Sequence, residues 1–129
     1  MSREGDTLHC DPVYQHNQMC NHFASSVLYG EHLYGFNEQA LTCMDFRTGT
    51  RRWKEGGFGK GTLLVADGHL IVLSENGKLV LARATPEKYE PVASSRVVNG
   101  RCWTVPVLAG GRLHIRGGEK LLCLELNKP

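Results

Sequence analysis

The stretch VADGHLIVLSENGKLVLARA, residues 65–84, decides the class of fold. Two apolar runs, His69–Leu73 and Lys78–Ala84, flank Ser74-Glu75-Asn76-Gly77. Asn-Gly is the strongest short hairpin signal, because both residues tolerate positive φ. Two further stretches share the layout: LYGEHLYGFNEQALTCMDF (28–46) and LAGGRLHIRGGEKLLCLEL (108–126). Each has a Gly-bearing turn, an apolar strand, a polar turn and a second apolar strand. The first and third align without a gap, which sets Cys43 opposite Cys123 and Leu33 opposite Leu113; the middle one carries one extra residue in its turn. Leu33 to Leu70 is 37 residues and Leu70 to Leu113 is 43. A period near forty with several strands per unit is the mark of propeller blades.

Outward from each hairpin, one more strand is expected on either side. The first unit reads as strands at Ser25–Tyr29, Glu31–Phe36, Leu41–Phe46 and Thr50–Glu55. The second reads as Thr62–Ala66, His69–Leu73, Lys78–Ala84 and Glu90–Val98, and the third as Thr104–Leu108, Arg112–Arg116 and Lys120–Leu126. A fourth strand of the third unit is missing. Fifteen glycines punctuate these short runs, and no window sustains an apolar period of 3.6 residues, so almost no helix is expected. The division is an N-terminal segment, 1–19, and three four-stranded blades over 20–129, at about 21–60, 61–103 and 104–127.

Between the first two units lies CMDFRTGTRRWKEGGFGKG (43–61). Asp45 opens a tight turn and can hold backbone N–H groups, Gly49 supplies positive φ, and Trp53 stands four residues later on the next strand. There it can cover the neighbouring blade. Asp45, Thr48, Gly49 and Trp53 resemble the A-x-D-x-x-T-G-x-x-x-W docking pattern of the PQQ-like β-propeller repeat family, with Cys43 in place of the leading Ala. The second unit keeps only Ala82 and Ala84 before Thr85-Pro86, and the third has Cys123 and Glu125. GKGTLLVADGHLIVLSENGKLVLA and GRCWTVPVLAGGRLHIR also look like the C-terminal blades of longer bacterial BamB-type or quinoprotein-like repeat proteins. The resemblance covers residues 20–127.

It implies one of two functions. Quinone-dependent dehydrogenases of this type hold PQQ on a Trp floor, under a disulfide between adjacent cysteines and beside a calcium ion. This sequence has no adjacent Cys pair, and neither a calcium ligand set nor a catalytic Asp is assignable by motif. The other branch is a non-catalytic scaffold for protein binding or assembly. That reading is preferred, with no cofactor, no PQQ and no catalytic residue expected; a ligand-binding remnant of a PQQ-dependent dehydrogenase is the alternative.

Composition narrows the partners. The 129 residues carry a formal charge of +2, and Arg51, Arg52 and Lys54 form the densest basic run, which reads as a solvated strand edge rather than a nucleic-acid face. No run approaches the length of a membrane span, and MSREGDTLHCD has no apolar signal region. The expected location is cytoplasmic for the chain as given, or periplasmic for a piece of a longer exported protein. Five cysteines without CxxC spacing fit reduced thiols.

Several stretches carry side chains capable of chemistry, and each also has a plainer role. HCDPVYQHNQMCNH (9–22) gathers Cys10, His16, Cys20 and His22, the usual donors for zinc. Their spacing matches no standard finger, so no metal site is assigned. Pro12–Asn17 reads instead as an edge strand that completes the third blade, of the same chain or of a partner copy. His32, His69 and Arg112 share one repeat position and read as a solvated rim; histidines ringing a channel ligand are the sharper alternative. Gly56–Thr62 lacks the spacing of a phosphate loop and reads as an inter-blade crossing where Cβ atoms would crowd. Cys102-Trp103 is expected to pack between blades, and Cys43 and Cys123 to act as small hydrophobes. Three blades cannot close a ring, so a homodimer that completes six blades is expected, its contact face built on Leu33, Leu41, Leu113 and Ile115.

Overall fold

The computed structural model describes residues 2–126. Among them there is no helix; thirteen strands form four separate antiparallel sheets. Strands β1 (Ser2–Glu4) and β2 (Thr7–His9) make a small exposed hairpin. Strands β3 (Val27–Tyr29), β4 (His32–Asn37), β5 (Ala40–Asp45) and β6 (Arg51–Glu55) form the first blade. Strands β7 (Thr62–Ala66), β8 (His69–Leu73), β9 (Lys78–Arg83) and β10 (Pro91–Arg96) form the second. Strands β11 (Val107–Ala109), β12 (Arg112–Gly117) and β13 (Lys120–Glu125) form a three-stranded third blade. Each blade is a simple meander with its strands in chain order. This is a partial β-propeller.

The pleat explains how the blades stack. Successive side chains of a strand point to opposite faces, so a strand apolar throughout has two apolar faces to bury. The second blade is built this way. Its Leu63, Leu70, Val72, Val80 and Ala82 meet Tyr34, Phe36, Leu41 and Cys43 of the first blade in one buried cluster. On its opposite face, Ile71, Leu73, Leu79 and Leu81 meet Leu113 and Ile115 of the third blade in another. Burial pushes the Cys43 thiol up to about 11, so it packs as a neutral small hydrophobe.

This packing corrects the dimer face expected from sequence. Leu41, Leu113 and Ile115 are fully buried between blades of one chain. Leu33 lies on the outer face of the first blade, opposite Met44. That face is not left open. Met19 and Ser26 lie against it beside Gly35, and Thr42 and Met44 on the same side are buried.

The segment before the first blade corrects a second expectation. Residues 12–17 form no strand, and Val13 is exposed. Pro12 brings no ladder donor, and the segment is held elsewhere. The Tyr14 hydroxyl donates to the Phe46 carbonyl at 2.9 Å, the Tyr14 and His16 rings stack at 5.5 Å, and both rest on Gly49. Farther on, the Cys20 amide donates to Asn37 Oδ1, and Glu38 N donates to the Cys20 carbonyl, each at 3.1 Å. Residues 14–21 therefore anchor to the first blade, and residues 12–17 do not pair with the third.

Candidate functional site

Trp53 stands where the docking pattern predicts. On β6 it packs its indole between the first two blades, 6.1 Å from the Tyr34 ring and 5.9 Å from Tyr89. Its Nε1–H donates to the Thr85 carbonyl of the second blade at 2.8 Å. The turn before it is locked by Asp45, whose Oδ1 accepts the amides of Arg47 and Thr48, both at 2.9 Å. Gly49 N closes the turn on the Asp45 carbonyl at 2.9 Å. The Thr48 bond is the main reason the Asp45 carboxyl titrates below its ordinary value. Trp53 thus ties the first blade to the second, and Asp45, Thr48 and Gly49 fix the turn that presents it.

The other residues singled out from sequence are scattered. His69 Nδ1 is 2.8 Å from the Asp67 carbonyl, and Arg112 pairs with Glu125 at 3.5 Å. His32 lies opposite Asp45 in the β4–β5 ladder. Cys10 and Cys20 are exposed, the Gln18 amide donates to His16 Nδ1, and His22 lies edge-on to Phe23. Among the described residues no three of His, Cys, Asp and Glu gather into a group that could hold a metal ion. Cys102 is fully buried against the third blade, and burial raises its thiol pKa. Cys123, expected to pack in the sheet, is instead exposed on the outer face of the third blade, 3.6 Å from His114 Nε2. The crossing 56–62 is tight as expected at Gly61, where a Cβ would fall 2.6 Å from the Phe36 ring.

A site the sequence reading missed lies where the chain enters each blade. The residues four places before β3, two before β7 and four before β11 are Phe23, Lys60 and Trp103. They are separated by 37 and 43 residues, the same spacings that relate Leu33, Leu70 and Leu113. They occupy one repeat position. In space they converge: the Phe23 and Trp103 rings are 4.7 Å apart, and Lys60 Nζ lies 5.6 and 5.7 Å from their centroids. Arg101 covers Trp103 at 4.5 Å. The Trp103 indole N–H donates to the Glu75 carboxylate, from the β8–β9 turn. That bond is the main reason the Glu75 carboxyl titrates below its ordinary value, with Lys60 and Arg101 adding to it. The result is a shelf of two aromatic rings and two cations, with Phe23 46% exposed and Arg101 open to solvent. The identical spacing was the available signal. It was obscured because an aromatic, a cation and a second aromatic share no side-chain chemistry.

Known proteins add the architecture. No family model and no curated protein matches the sequence. Among solved structures, BamB from Moraxella catarrhalis is similar to 76% of this chain, with a TM-score of 0.61 and 12% identity. The chain spans 30% of the length of that BamB chain. At that identity the likeness supports a propeller-like fold, in agreement with the stacked sheets.

Proposed function

We propose that the chain is a non-catalytic β-propeller module that works by binding protein, either a second copy of itself or another protein. The observation that carries this reading is the convergence of Phe23, Lys60 and Trp103 on an exposed aromatic and cationic shelf. Exposed aromatic and arginine side chains are the usual anchors of protein interfaces. The propeller-like fold agrees with the non-catalytic branch that the docking pattern's resemblance implies, whereas no observed feature favours a quinone-binding remnant.

The test is a quantitative pull-down from an extract of cells that express the chain, with wild type beside a Trp103→Ala, Arg101→Glu double variant. At least one protein is expected to be depleted about tenfold with the variant, a loss in keeping with removal of an interface anchor. Identical recoveries would contradict the reading, and saturable quenching of Trp fluorescence by PQQ with calcium would favour the small-ligand alternative. Light scattering identifies the self-association form by a mass near twice 14.3 kDa.

A further inference from the structure

We infer that the shelf takes an acidic peptide, seating carboxylates on Lys60 and Arg101 and an apolar side chain on Phe23 and Trp103. The inference rests on the protein-binding reading and names the chemistry of the partner. Three features of the site support it.

First, the shelf already holds a carboxylate. Glu75 accepts the Trp103 indole N–H and lies within the field of both cations. The surface is thus shaped and charged for that group, but one carboxylate does not neutralise it. Lys60 and Arg101 bring two positive charges against one, and Arg96 adds a third beside them. Arg96, Asn76, Asn99 and Arg101 line a shallow hollow next to Glu75. Arg96 donates to the Asn76 carbonyl at 2.6 Å, which fixes its guanidinium at the rim. Among the described residues, none of Lys60, Arg96 and Arg101 has a salt-bridge partner.

Second, the cations are held in place. Arg101 lies over the Trp103 ring and Lys60 over both rings, so each gives up less freedom on meeting a ligand than a free side chain would. Third, the rings are accessible. An isolated anion such as phosphate needs only charge, whereas a tilted aromatic pair beside the charge, Phe23 exposed and Trp103 part-buried, is suited to a chain that alternates acidic and apolar groups.

The probe is a fluorescein-labelled heptapeptide, Glu-Glu-Glu-Phe-Glu-Glu-Glu, followed by anisotropy on the intact chain at low salt. Saturable binding that weakens with salt is expected. Lys60→Gln and Arg101→Gln should each weaken it about fivefold, the effect of losing one charge-assisted contact. Glu75→Gln should tighten it at least about twofold, because a repelling charge is removed while an oxygen remains for the indole N–H. Circular dichroism confirms that each variant is folded. No binding, binding unchanged in both cation variants, or weakening by Glu75→Gln would overturn the inference. Equal binding of the matched Gln peptide would do so too, and displacement by millimolar inorganic phosphate would assign the shelf to free anions instead. The pull-down is independent of this probe: a partner lost with the shelf variant beside a silent peptide would retain the protein-binding reading and reject the acidic peptide.

Discussion

Replacing Trp53 by Ala should lower the stability of the fold by about 3 kcal/mol, the loss expected for a large aromatic removed from a packed site. The indole is only half-buried, so the transfer of its ring from water is not the whole effect. It fills the gap between the first and second blades against Tyr34 and Tyr89, and its N–H satisfies the Thr85 carbonyl. Alanine leaves a cavity and an unpaired carbonyl at the same place. Trp53→Phe retains most of the ring contact and loses the hydrogen bond, so it should cost only about 1 kcal/mol. Urea unfolding of the two variants separates the terms. Curves that overlay wild type for Trp53→Ala would mean that the residue does not dock the blades.

Gly77→Ala should be at least as damaging, roughly 3 kcal/mol or more, for a reason in the backbone. Gly77 has φ +90, and a Cβ there would lie 2.0 Å from the Val98 carbonyl oxygen. That oxygen cannot swing aside as a side chain would. The same glycine accepts the Val97 amide at 2.9 Å, which ties the β8–β9 turn to the chain leaving for the third blade. The midpoint of thermal unfolding should fall by roughly 10 °C. Gly56→Ala is the control: a Cβ there meets nothing within 4 Å and the φ is not positive, so its midpoint should stay close to wild type. Equal midpoints for Gly77→Ala and wild type would contradict the turn geometry.

The second blade was the most legible part of the sequence. Its Thr62–Ala66 and His69–Leu73 strands have the expected bounds, because alternating apolar side chains there serve two interfaces and Gly77 marks the turn. The docking turn was legible for a different reason: Asp45 caps its own turn, and the spacing of Asp45, Thr48, Gly49 and Trp53 resembles a repeat pattern that marks Trp53 as the residue reaching the next blade. The first segment was not. Its hairpin holds a single strand apolar, Leu8, so no alternation announces it. Residues 12–17 had strand composition, but Tyr14 found a carbonyl on the first blade, a long-range contact that composition does not encode. The expected contact face failed because Leu41, Leu113 and Ile115 could be apolar for a neighbouring blade or for a second copy, and the pattern is the same in both cases.

Three stacked blades bring their entry segments together on a single shelf. The Phe23 to Trp103 contact tests this arrangement most directly, since it joins the lead into the first blade to the lead into the third across 80 residues. Two-dimensional nuclear Overhauser spectra of the intact chain should show cross peaks between the Phe23 ring protons and the Trp103 indole, at ring centroids 4.7 Å apart. Assigned rings with no cross peak between them, and Trp103 in contact only with its chain neighbours, would contradict the account.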